Sequence, residues 1–297
     1  MRRRKSVFDT KCVAFSPQYD IIRASGRGKS KPPAAAKHCR QCAKPERLSR
    51  EKGDRSMLKI ENFSKTYPGE NRAVDHLSLE VRPGDVFGFI GHNGAGKTTT
   101  IRAITGVMDF SEGNIWVDGE SVRENPLACK RKIAFVPDNP DLYDYLTGIQ
   151  YLNFVADIFG MDASARESQI RRYAQLFEMT GALGDLVSSY SHGMKQRLAL
   201  IAAFMHEPRL LVFDEPFVGL DPSAVHTVKQ LMQEFCARGA AVFFSTHVLD
   251  VAEKLCNRVG IIRAGKLVAC GDIEAVKGDQ SLEEVLLDLE VKCGERR

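Results

Sequence analysis

Gly91-His92-Asn93-Gly94-Ala95-Gly96-Lys97-Thr98-Thr99 fits the spacing G-x-x-x-x-G-K-[ST]. An apolar run, Val86-Phe87-Gly88-Phe89-Ile90, stands before it and reads as a buried strand. The residues after it, 98–104, open a helix. Strand, glycine-rich loop and helix in that order make a phosphate cradle. The glycines let successive backbone N–H groups turn inward onto phosphate oxygens, and the helix N-terminus adds a favourable dipole. Lys97 is placed to reach the β- and γ-phosphates, and the Thr98 hydroxyl to ligate Mg²⁺. A glycine-rich turn without ligand would not need all three fixed positions in this context. Residues 91–99 are therefore candidate contacts to a nucleoside triphosphate.

Such a loop is shared by GTPases, kinases and helicases, so the rest of the chain has to decide. Leu210-Leu211-Val212-Phe213-Asp214-Glu215-Pro216 is an apolar strand ending in two carboxylates. Asp214 is placed to hold the Mg²⁺ shell, and Glu215 to polarise the attacking water as general base. Two acids at a strand end can also be a solvated turn; beside a phosphate loop the catalytic reading is preferred. Tyr190-Ser191-His192-Gly193-Met194-Lys195-Gln196-Arg197 precedes an apolar helical run. Ser191 is a good N-cap, and the free N–H groups behind it make an anion site.

That segment resembles the signature motif of ABC-type ATPases, usually written L-S-G-G-Q. Ser191 and Gly193 match its Ser and second Gly, while Tyr190, His192 and Met194 depart from it. The resemblance covers most of residues 57–270 with the motifs in family order. Tyr67 sits where the family stacks an aromatic on adenine. Gly219-Leu220-Asp221-Pro222 looks like the D-loop, and Ser245-Thr246-His247 like the switch histidine that contacts the γ-phosphate. Where the family usually has Gln after a strand, this chain reads Val136-Pro137-Asp138-Asn139. Asp138 is placed to reach Mg²⁺ through water; with the loop shifted by one residue, Asn139 supplies an amide instead.

The resemblance implies an α/β fold: a P-loop core of ABC-ATPase type, a small antiparallel β subdomain and an inserted helical subdomain at about 139–190. Residues 58–61, 77–81 and 113–119 read as the small sheet. Tyr151, Phe154, Val155, Ile158 and Phe159 recur at helical spacing, and so do Ile170, Tyr173, Ala174 and Phe177. These stripes read as core. Strands at 209–213, 241–245 and 259–262 alternate with helices at 222–238 and 248–257, as in a parallel sheet covered by helices. Residues 271–297 form a helical extension, with a capping box opening at Ser281, that packs on the core or on a partner.

The 297 residues, 43% hydrophobic and 27% charged, suit a soluble globular protein, and no apolar run approaches the ~20 residues that cross a bilayer. The net charge of +4 hides an asymmetry: residues 1–56 carry 16 Lys and Arg against 5 Asp and Glu. That basic stretch reads as disordered. It is an upstream start-site artefact or dispensable extension, or else it binds anionic lipid, nucleic acid or, through His38, Cys39 and Cys42, zinc. It has no apolar stretch of a secretory signal. The eight scattered cysteines suit a reducing compartment.

In the resembled family the signature segment completes the site of a second subunit. Two ATP molecules lie head to tail between two P-loop domains, with catalysis by Glu215 and His247. The resemblance thus implies ATP and Mg²⁺ as cofactors. It implies a separate transmembrane permease subunit, a homodimer or heterodimer with a second ABC ATPase, and a peripheral position on the cytoplasmic face of the membrane. The Asp138 and Tyr190–Gly193 departures resemble prokaryotic export-type subunits. The alternative is a soluble ABC-type ATPase acting on ribosomes or DNA. The acidic body, where 33 acidic residues outnumber 26 basic ones, argues against direct nucleic-acid contact.

Overall fold

The structure is a computed structural model, and it describes residues 56–69 and 71–294. The basic stretch with its Cys39-x-x-Cys42 lies outside the described residues.

A six-stranded sheet carries the phosphate loop. Its order is β10 (Lys266–Asp272), β9 (Arg258–Arg263), β3 (Val86–Ile90), β8 (Ala241–Thr246), β7 (Leu210–Asp214) and β6 (Ile133–Val136). All neighbours run parallel except β10, which returns antiparallel on β9. β3 is buried along its whole length, as a central parallel strand covered on both faces must be. Its side chains divide between the two faces. Val86 and Ile90 join the core beneath the helices, whereas Phe87 and Phe89 stack with Phe243 in a second core.

That second core is roofed by an antiparallel sheet in the order β2 (Asn71–Val81), β1 (Leu58–Tyr67), β4 (Glu112–Val117) and β5 (Glu120–Ser121). Between the sheets lies α1 (Lys97–Ile104), whose Ile101, Ala103 and Ile104 are buried. Helix α2 (Pro126–Lys132) has proline in its first turn, where a missing N–H costs nothing, and lysines and arginine in its last, beside the negative end of the helix dipole.

The helical insertion consists of α3 (Gly148–Phe159) and α4 (Ala163–Leu176), packed on α5 (His192–Met205). Thr147 and Gln150 close a reciprocal capping box on α3, and Asp162 caps α4. The buried stripe of α3 is Tyr151, Leu152, Val155 and Ala156, with Phe154, Ile158 and Phe159 half-buried. It is thus turned towards Leu152 and Ala156 from the expected face. Ile170, Tyr173, Ala174 and Phe177 are buried as expected.

On the other flank, α6 (Pro222–Ala237) and α7 (Leu249–Leu255) cover the parallel sheet. Strand β10 runs to Asp272, past the boundary expected after residue 270. The helices behind it, α8 (Ile273–Lys277) and α9 (Leu282–Gly294), are part of the same body. Ile273 and Leu282 enter the main core, and the Leu282 amide donates to Glu253 at 2.5 Å. The Ser281 and Glu284 side chains accept each other's backbone amides at 3.2 and 2.9 Å, completing the expected box.

Candidate functional site

Strand register assembles the site. Phe89 pairs with Ser245, Ile90 with Thr246, and Asp214 with Ser245. The C-terminal ends of β3, β7 and β8 therefore share one edge, where ligands of open parallel sheets bind. A cleft of about 390 Å³ opens there. Ala73, His92, Asn93, Gly94, Gly96, Lys97, Thr98, Thr99, Asp138, Asp214 and Glu215 line it.

Gly96 sets the shape of the loop. Its φ is 111°, and a Cβ there would stand 2.6 Å from the Ala73 carbonyl oxygen. Only glycine lets the loop close against β2 and release its N–H groups into the cleft. Lys97 is buried, and its ammonium donates to the carbonyls of Gly91 at 2.5 Å and His92 at 3.4 Å. It thus holds the loop in the curve a phosphate needs. Phosphate oxygens would offer it stronger, charge-assisted bonds.

The two carboxylates at the end of β7 are held differently. Asp214 is 5% exposed; its Oδ1 accepts from Ser245 Oγ at 2.5 Å and its Oδ2 from Thr98 Oγ1 at 2.9 Å. The Ser245 hydroxyl also accepts the Glu215 amide at 3.1 Å. Glu215 adopts φ 50°, a left-handed conformation uncommon for a residue with a side chain. That turn swings its carboxylate into the cleft. There it lies 3.7 Å from the Lys97 ammonium, and it accepts from His247 Nδ1 at 2.8 Å. Nδ1 must carry the proton, since a carboxylate only accepts.

These oxygens suit a hard divalent ion. The Thr98 hydroxyl and Asp214 carboxylate are in direct contact, and the Asp138 carboxylate is on the same cleft. Among the described residues no three His, Cys, Asp or Glu side chains cluster tightly enough to hold a metal alone. That is the donor set Mg²⁺ accepts, since it keeps waters and takes phosphate oxygens for most of its shell.

The structure therefore brings together Lys97, Thr98, Thr99, Asp214, Glu215 and Asp138 with most of the loop. Asn139 does not line the cleft. His247 meets it through Glu215 rather than lining it. Tyr67 stands beside it, its hydroxyl 3.4 Å from Thr99 Oγ1 and 3.3 Å from Met108 Sδ. Ser191 and Gly193 are elsewhere. Ser191 caps α5, accepting the Met194 amide at 3.3 Å, and Gly193 lies against the Gly219 carbonyl. Tyr190, which replaces the family's leucine, is rooted in the insertion: its hydroxyl donates to the Ala182 carbonyl at 2.5 Å, and burial pushes the phenol's pKa up. Arg197 beside Asp221 holds that carboxyl below its usual range. Sequence reasoning missed Ala73 and Ser245. In the sequence, Ser245 is only the first residue of the switch-histidine motif, with no role of its own.

A parallel sheet that gathers a phosphate loop, strand-end carboxylates and a histidine on one edge, with a helical insertion, defines a P-loop nucleoside triphosphatase of cassette type. The ABC transporter family model matches residues 74–218. An ABC transporter ATP-binding protein of Bacillus subtilis, YhcH, is 36% identical over 231 residues, spanning 77% of this chain and 73% of the relative. The bacitracin transport ATP-binding protein BcrA of Bacillus licheniformis is 36% identical over 214 residues, 72% of this chain and 69% of its own length. A solved structure of the ATP-binding subunit of an ABC transporter superposes with a TM-score of 0.76 at 32% identity, covering 79% of this chain and all of the other. The chain belongs to the ATP-binding proteins of ABC transporters.

Proposed function

We propose that this chain is the Mg²⁺-dependent ATPase subunit of an export-type transporter, bound peripherally to a separate membrane-spanning subunit on the cytoplasmic face. The observation that carries the hydrolytic part is Glu215. Its carboxylate is aimed into the phosphate cleft by a left-handed backbone turn and held by His247 and Lys97. A bound Mg²⁺ would be held by Thr98 and Asp214, with Asp138 near, and would neutralise phosphate charge. The chain's own residues do the rest. The loop amides and Lys97 orient the phosphates, Asp214 and Thr98 would keep the ion in place, and Glu215 takes the proton of the attacking water.

That Ser191 and Gly193 do not line the cleft supports a two-subunit site, in which each subunit lends its signature segment to the other's nucleotide. ATP then biases a two-state interface, and hydrolysis removes the charge that bridges it. Export is supported by the departures at Asp138 and in the Tyr190–Gly193 segment, and a transport role by the likeness to the bacitracin transport ATP-binding protein BcrA. Among the described residues no helix is long and apolar enough to cross a membrane.

The test is mass spectrometry of what co-purifies with the tagged chain from detergent-solubilised membranes. A stoichiometric multi-span protein is expected. Recovery with ribosomal proteins or DNA-repair factors instead would replace this reading with a soluble ATPase.

A further inference from the structure

Residues 191–193 and 219–222 come from separate parts of the chain yet are fastened together at three points. Gly219 has φ 77°, and a Cβ there would meet the His192 ring carbon Cδ2 at 2.6 Å. The Gly219 carbonyl lies 2.8 Å from where a Cβ of Gly193 would stand. The third point is ionic. Arg197, on the second turn of α5, gives one amino group to Asp221 Oδ1. Its other amino group reaches back to the Phe177 carbonyl at 3.3 Å.

Both acceptors need such a donor. Phe177 is the C-cap of α4, where carbonyls lack intrahelical partners and the helix end is negative. Asp221 stands at the N-cap of α6, but its side chain makes no cap hydrogen bond and turns to Arg197 instead. A planar guanidinium bridges two acceptors on different elements, whereas a lysine ammonium offers one point charge on a flexible stem. Arg197 thereby joins the helical insertion, the signature helix and the 219–222 loop.

We propose that Arg197 is a positioning residue for the ATPase reaction, setting residues 191–193 and 219–222 as one rigid unit that completes the partner subunit's nucleotide site. The inference rests on the two-subunit reading above. Arg197 does not line the cleft of its own subunit. Its loss therefore acts on association in the presence of ATP and not on ATP binding to the isolated subunit.

The experiment uses the full chain carrying Glu215→Gln, with and without Arg197→Lys or Asp221→Asn. Sedimentation velocity over a concentration series with Mg-ATP gives the dimer dissociation constant. A fluorescent ATP analogue, titrated at protein concentrations where the chain is monomeric, gives cis-site affinity. Each added substitution is expected to raise the dimer constant at least about tenfold, about 1.4 kcal/mol of association free energy. Analogue affinity should stay within about twofold, and Tm within about 3 °C. Unchanged dimerisation in both variants overturns the proposal. So does a parallel fall of analogue affinity and Tm, which marks a general structural role. If the Glu215→Gln parent stays monomeric at all ATP concentrations, the two-subunit reading fails and the inference with it. That parent measurement separates the two failures.

Discussion

Ser245 holds Asp214 in place: its hydroxyl donates to the carboxylate at 2.5 Å while accepting the amide of Glu215 at 3.1 Å. One side chain on β8 thus fixes both acids at the end of β7. Ser245→Ala leaves a carboxylate 5% exposed short of one donor, and strands the Glu215 amide. The expected loss is about 1–3 kcal/mol of stability. Turnover should fall by about tenfold or more, because the Thr98–Asp214 pair and the Glu215 turn relax together. Urea titration and steady-state ATP hydrolysis check it. Unaltered turnover in a destabilised variant would limit Ser245 to a structural role.

Glu215→Gln keeps the shape of the side chain and its partner His247 but removes the proton acceptor. General-base catalysis supplies about two to four decades of rate, and hydrolysis should slow by that factor. ATP binding should persist, since Lys97 and the loop amides are untouched. Phosphate release and equilibrium nucleotide binding, measured on the same preparation, separate the two. Near-normal turnover would remove Glu215 from the mechanism.

His206 makes stability depend on acidity. It follows α5, stacks on Phe159 with ring centroids 3.7 Å apart, and its Nδ1 donates to the Ala202 carbonyl at 2.9 Å. Burial pushes its pKa down from 6.5 to about 4, outweighing that hydrogen bond. The unfolded chain therefore takes up a proton at this histidine near pH 6.5, while the folded chain resists until about pH 4. Stability is fully present above pH 6.5 and declines as the pH falls towards 4, by up to about 3 kcal/mol. His206→Phe keeps the stack and removes the titration. Urea midpoints at pH 7 and pH 5 should differ less in the variant than in the parent. Equal pH slopes would show that His206 protonates freely in the fold.

Much of this arrangement was legible in the residues. The phosphate loop, the Asp214–Glu215 pair and His247 each follow an apolar strand, and the parallel register alone brings those strand ends to one edge. What escaped lies where tertiary contact overrides local pattern. Strand β10 has an irregular burial pattern, and its register on β9 shifts between Leu267 and Ala269, so no period-2 signal marks it. On α3, Leu152 and Ala156 are buried where the helical stripe marked Phe154 and Ile158. Ala73 carries no chemistry of its own, and it reaches the cleft only because β2 passes the closed turn at Gly96. The bond from Arg197 to the Phe177 carbonyl joins residues 20 apart in sequence, with no spacing rule to announce it.

The packing of β3 against α7 gives a last expectation. A Cβ on Gly88 would stand 2.7 Å from Cys256 Sγ and 3.8 Å from the Ala252 methyl. Cys256 is buried at the end of α7, and burial pushes its thiol up to about 12. The thiol therefore stays protonated and unreactive at neutral pH, acting as a small apolar filler. Gly88→Ala alone overpacks this contact, and about 1–3 kcal/mol of destabilisation is expected. Cys256→Ala alone opens a cavity of roughly one sulfur atom and loses about 1 kcal/mol. Combined, the new methyl enters the space the sulfur leaves, so the double variant should be more stable than the sum of the singles predicts, by about 1 kcal/mol or more. The strand carrying this contact ends one residue before the phosphate loop. The single Gly88→Ala variant should therefore also weaken ATP binding, and the added Cys256→Ala should restore it. Urea denaturation and nucleotide titration of the four proteins measure both; strict additivity in the two series would mean that β3 absorbs the methyl by shifting as a whole.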